Sequence, residues 1–266
     1  MVKIYYLAGL LLFITFSSCR NSPDDLGQAS IFLDEYSPEN NLQIGDAVNA
    51  EVERIYSLLS ADAAPEAMEY LEKMLNLVIN TPAFSQRLVY DWHISVIRDE
   101  NVSTAFVLPN GHLYLSIDLL KFLETESQLL SLLAHELSYA ESGRASLLLE
   151  DEFGKQALGD IILDNGKADV AAMAAAFASL SYDKNAVATA DEFSVEVLCP
   201  FVYEPRGIVK ILEKATENPA AAPAWLTLRP HEDTTERIER MNENAAPCGL
   251  DGVKNRAEYT AFLEML

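Results

Sequence analysis

The stretch STAFVLPNGHLYLS sets two short apolar runs on either side of Pro109-Asn110-Gly111. Asn-Gly between apolar runs signals a hairpin, because both residues tolerate the positive φ that a tight turn demands. Upstream, Leu88 to Arg98 also partly alternates, so about three strands are expected in a small, mainly antiparallel sheet. That sheet has to be accommodated among helices. Asp46 to Leu59 and Pro65 to Val78 repeat apolar residues at three- and four-residue spacing, with Pro65 suited to a first helical turn. From Ser116 onward helical patterns dominate: Glu124 to Ser142, Ser146 to Leu163, the alanine-dense VAAMAAAFASL and Ala188 to Leu198. Pro200, Pro205 and PAAAPAW interrupt the chain before a last helix, His231 to Asn242. The fold class expected is α+β, mostly helical, with one domain over residues 43–266.

The beginning of the chain reads differently. Lys3, the apolar run YYLAGLLLFITF and SSC suggest a signal peptide over residues 1–18, too short to span a bilayer comfortably. FSSC resembles a lipobox, which makes Cys19 the expected lipidated N-terminus, followed by a polar, turn-rich linker to residue 42. The expected location is the bacterial cell envelope, on an outer membrane and facing the periplasm. Cys199 and Cys248 lie outside any CxxC arrangement and are expected as two separate thiols, although an oxidising compartment would allow them to pair.

The formal net charge of -22, from 41 acidic and 19 basic side chains, argues against a nucleic-acid partner. Acidity of this degree keeps an envelope-exposed protein soluble; a surface tuned to a cationic partner is the alternative.

Chemistry concentrates in LLSLLAHELSYAESG. Two histidines four residues apart on a helix share a face and can hold one zinc ion, while the glutamate after the first activates metal-bound water. Here His135 and Glu136 take the first two roles, and Tyr139 stands at the second ligand position. A phenol, with a reference pKa of ~10, is a poor substitute there.

The segment TAFVLPNGHLYLSIDLLKFLETESQLLSLLAHELSYAES resembles the zinc metalloendopeptidases related to the CAAX prenyl protease and the HtpX heat-shock protease. Thr104, Ala105 and Phe106 correspond to their NAF triplet, Leu108, Pro109 and Gly111 to the turn, and His135, Glu136 and Leu137 to the metal motif. In VATAD, Asp191 keeps its place, but Val187 occupies the position of the glutamate that is the third ligand in that family. In VYEP, Tyr203 and Pro205 match while Val202 and Glu204 differ; in LRP, Arg229 replaces a histidine and Pro230 is kept. The likeness runs from about Asp46 to about Met241.

The resemblance implies a zincin fold of the gluzincin type and a substrate groove along an edge strand, either Val102 to Val107 or Leu113 to Leu115. Thr104, Ala105, Phe106, Arg229 and His231 would lie near the substrate. With two of three ligands replaced, His135 is the one conventional ligand kept, so no cofactor is expected, Glu136 becomes vestigial, and Asp191 is expected to hold the His135 ring directly. Glu192, five residues after Val187, points roughly 140° away on an ideal helix. His112 is expected on the surface, and His93 in packing or on the surface.

The function expected is that of a peptidase-like envelope lipoprotein that binds a protein or peptide, or aids assembly, without catalysis. The alternative is an active zinc endopeptidase in which His135, Tyr139 and another ligand hold the metal and Glu136 serves as general base.

Overall fold

The computed structural model describes residues 37–100, 102–227, 233–249 and 252–266. The signal peptide, Cys19, Arg229, Pro230 and His231 fall outside these residues. Helix α1, Pro38–Ile55, is capped by the Ser37 hydroxyl, which accepts from the Asn40 amide, and it turns Ile44, Val48 and Val52 inward. It begins inside the stretch expected to be linker. Helix α2, Pro65–Ile79, buries Ala67, Leu71, Met74, Leu75 and Val78 on one stripe.

The sheet contains β1 (His93–Ile97), β2 (Ala105–Val107) and β3 (His112–Ser116) in the order β1-β3-β2. β2 and β3 form the expected antiparallel hairpin, but β1 pairs with β3 in parallel, so the sheet is mixed rather than mainly antiparallel. The hairpin fixes only the β2–β3 sense; the crossover from β1 lets β3 insert between the other two. Gly111 has a φ of 89°, and a Cβ there would come within 2.8 Å of the Trp92 ring, so both backbone and space demand glycine. Because β3 is the central strand, Leu113 to Leu115 cannot be the peptide-binding edge; among the two candidate stretches only the β2 side remains.

One face of the sheet carries Ser95, His112, Tyr114 and Phe106, with Phe106 stacked on Tyr114 at 5.1 Å. Helix α1 lies against that face, where the Tyr114 hydroxyl donates to Asn49 Oδ1 at 2.8 Å. Ser116 closes β3 and caps the short helix α3, Ile117–Phe122. Helix α4, Glu126–Glu141, follows, capped by Thr125, and every residue from Glu126 to Ala140 is buried. Helices α8 (Lys184–Leu198) and α9 (Gly207–Glu217) pack along it, so it forms the axis of the molecule. Fully burying each of its leucines contributes about 1.5–3 kcal/mol, and Leu133→Ala would cost roughly 2–5 kcal/mol.

Where a single helix was expected over Ser146 to Leu163 there are two, α5 (Arg144–Phe153) and α6 (Lys155–Ile162), separated at Gly154 with a φ of 83°. The alanine-dense α7, Val170–Phe177, packs beside α1, and Phe177 reaches Phe106 on the sheet. After α9 come the short α10 (Ala224–Thr227), α11 (Thr234–Ala245) and α12 (Arg256–Leu263).

Cys199 and Cys248 form a disulfide, contrary to the expectation of separate thiols. The reason is tertiary: α8 and α11 pack together, and Cys199 at the end of α8 and Cys248 just after α11 come to a Cα separation of 5.0 Å, which a disulfide can bridge. No helix among the described residues is long and apolar enough to cross a membrane.

Candidate functional site

Helix α4 supplies His135, Glu136 and Tyr139, and α8 supplies Val187 and Asp191 one turn apart on one face. The packing of α4 on α8 puts Asp191 Oδ1 3.4 Å from His135 Nε2, while Glu136 Oε1 lies 3.3 Å from Nδ1 of the same ring. The imidazole is therefore held between two carboxylates. His135, Glu136, Val187 and Asp191 are all 0% exposed and Tyr139 is 1% exposed. Glu192 points outward, as its spacing requires.

Asp191 has further partners. Arg237 on α11 donates from Nε to Oδ2 at 2.8 Å and from Nη2 to Oδ1 at 2.7 Å, and Arg240 donates to Oδ2 at 2.9 Å. Burial alone would push the Asp191 carboxyl up. The adjoining His135 ring and the Arg237 guanidinium outweigh it and hold the carboxyl well below the usual range. Arg237 is 0% exposed, and a buried guanidinium needs a buried carboxylate; Asp191 is that group.

Aromatic rings complete the enclosure. The Trp225 indole N–H donates to Glu136 Oε1 at 2.6 Å, and the ring meets His135 edge-on at 5.5 Å. The Trp225 backbone N–H also donates to Ser103 O at 2.9 Å, which fastens α10 beside the start of β2. Tyr139 meets His135 edge-on at 5.5 Å and stacks on Tyr182 with ring centroids 3.6 Å apart. Trp225 and Tyr182 were not expected here. Each lies far in sequence from the HE pair, and no local spacing ties it to that pair.

Thr104, Ala105 and Phe106 are 4%, 0% and 2% exposed. The Thr104 N–H donates to Ser116 Oγ at 2.9 Å, inside the hairpin. His112, expected on the surface, is 8% exposed; its place on the sheet face beneath α1 buries it, and Ser95 Oγ lies 2.9 Å from its Nε2. His93 is half-exposed beside Glu72.

The donor set is poorly suited to zinc. Val187 has no donor atom, Asp191 is committed to two guanidinium groups, and Glu136 accepts from an indole. The Tyr139 ring is stacked on Tyr182, and among the described residues no three His, Cys, Asp or Glu side chains stand together as a metal-binding set. A divalent cation placed here would also face the buried Arg237 charge.

Comparison with known proteins gives one family. No curated protein matches the chain. The model of peptidase family M48, a zinc metallopeptidase family, matches residues 65–245, which include the sheet, α4, α8 and α11. With more than half its length covered, including both helices that carry the His135 and Asp191 site, the chain belongs to peptidase family M48.

Proposed function

We propose that this protein is a metallopeptidase-family scaffold that has lost zinc chemistry and works by binding, as a peptide- or protein-binding or assembly factor in the bacterial envelope. The observation that carries the proposal is the His135 ring, fully buried between Glu136, which also accepts from Trp225, and Asp191, which also accepts from Arg237 and Arg240. A peptide bond has no route to Glu136 while Trp225 lies on it, and a general base must come within hydrogen-bond reach of the group it serves. Tethering through a lipid on Cys19 rests on FSSC in the sequence; the Cys199–Cys248 disulfide supports an oxidising compartment. Radiolabelled palmitate taken up by the protein and lost in Cys19→Ser would be the expected signature of the anchor.

The test of lost chemistry is elemental analysis of the purified full-length protein together with a peptidase assay. Zinc well below one per chain, with no chelator-sensitive cleavage, is expected. Stoichiometric zinc that disappears in His135→Ala, with cleavage abolished by Glu136→Gln, would establish the active endopeptidase instead.

A further inference from the structure

A cleft of about 290 Å³ opens between α1 and the first residues of β1 and β3, lined by Leu42, Asp46, Asn49, Asp91, His93, Asn110 and His112. It is built rather than incidental. Asn110 is 8% exposed, and its backbone lies so close to Gly45 that a Cβ on that glycine would come within 2.4 Å of the Asn110 nitrogen. From this fixed position Asn110 Nδ2 donates to Asp46 Oδ1 at 2.8 Å, orienting the carboxylate on the cleft wall. The His112 ring is held through Nε2 by Ser95 and lies parallel to Tyr114 at 4.6 Å. Its Nδ1 bonds to no described residue, so a ring more than nine-tenths buried presents an open nitrogen to the cleft.

The electrostatics have one sign. Asp46 and Asp91 line the cleft, Glu72 stands 3.3 Å from His93, and Glu53 accepts from Asn49 at 2.9 Å; among the described residues no lysine or arginine lines it. Burial, and after it the neighbouring His93, push His112 down to about 4, so the ring carries no charge at neutral pH. The cleft thus sets two carboxylates beside the acceptor nitrogen of a neutral imidazole, a combination that receives the N–H groups of a cation by ion pairing and hydrogen bonding. A metal ion fits less well, since among the described residues no three His, Cys, Asp or Glu side chains converge there.

We propose that this cleft binds a cationic side chain, the guanidinium or ammonium group of a basic segment on a partner protein. This rests on the binding-scaffold reading and names the partner's chemistry. It also gives a local role to the net charge of -22. The edge of β2 is a poorer docking place, because Trp225 already takes Ser103 O at its entrance.

The experiment titrates the full-length protein in detergent solution with Nα-acetyl-arginine amide. The neutral isostere Nα-acetyl-citrulline amide serves as control, and the imidazole ¹H–¹⁵N resonances of His93 and His112 are the readout. Saturable shifts with the arginine compound only, weakened about tenfold or more in Asp46→Asn/Asp91→Asn, are expected. Should the double variant lose its circular dichroism, Asp91→Asn alone, at an exposed position, is expected to weaken binding several-fold. Non-saturating shifts, an equal response to citrulline, unchanged affinity in a folded variant, or saturation by Zn²⁺ alone would overturn the proposal. Zinc content of the same sample separates the two readings. One zinc per chain with arginine binding intact defeats the loss of chemistry alone; no zinc and no arginine response defeats the cleft alone.

Discussion

Arg237→Met tests whether the centre of the molecule is held by an ion pair. Methionine keeps much of the side-chain length but removes two hydrogen bonds, of 2.8 and 2.7 Å, from a carboxylate that is 0% exposed. Removing one partner of a buried pair typically costs about 3–5 kcal/mol, because the other charge stays buried. Arg240 still donates at 2.9 Å and His135 remains at 3.4 Å, so the expected cost lies near the lower end, about 3 kcal/mol. For a domain of this size that corresponds to a fall in melting temperature of roughly 6–12 °C. Urea unfolding followed by circular dichroism measures it at neutral pH. The double variant Asp191→Leu/Arg237→Met, which removes both charges, should recover at least half of the loss. A loss below about 1 kcal/mol in Arg237→Met, or no recovery in the double variant, would refute the argument that charge pairing, rather than packing alone, holds α8 to α11.

Other consequences can be measured separately. Trp225→Phe keeps a ring but deprives Glu136 of its 2.6 Å donor, and urea unfolding should show a loss of about 1.5–3 kcal/mol. Replacing Cys199 and Cys248 with alanine opens a link between residues 49 apart and should cost about 4 kcal/mol in the chain-entropy account, read from calorimetry. His112 has a folded value of about 4 against an ordinary 6.5, so the unfolded chain takes up a proton that the folded one refuses. Its contribution is fully present above 6.5 and lost as pH falls toward 4, by up to about 3 kcal/mol; His112→Gln should flatten that part of the pH–stability profile.

How much of this could be read from residue order depends on how local each signal is. The hairpin was legible because Asn110-Gly111 encodes its turn within a few residues, and α4 because its apolar positions and the Thr125 cap are contiguous. The pairing of β1 with β3 was not, since strand sense across a crossover is settled by tertiary packing. The same distinction divides the site. His135 and Asp191 could be paired on paper only through the family resemblance; in the structure Asp191 Oδ1 lies 3.4 Å from His135 Nε2. Trp225, Tyr182 and Arg237 reach the site from three separate segments, so nothing short of the assembled fold brings them together. The disulfide was hidden for the same reason: Cys199 and Cys248 become neighbours only when α8 and α11 pack.

The N-terminal end of α4 has a bearing on how the chain is made. Its buried Glu126 accepts from Tyr70, Tyr203 and Asn255, the Ser127 N–H donates to Lys254 O, and the Tyr259 hydroxyl donates to Leu120 O just upstream. Tyr259 and Phe262 are themselves fully buried, with Phe262 stacked on Tyr70 at 4.5 Å. The axial helix is therefore completed by residues near the end of the chain, and contacts of such long sequence separation form late. During synthesis the HE helix would emerge well before the residues that close its start, leaving much of its apolar surface without partners until the tail arrives. Glu126 and Asn255 stand 129 positions apart, so the start of the HE helix is completed only when a distant segment docks on it.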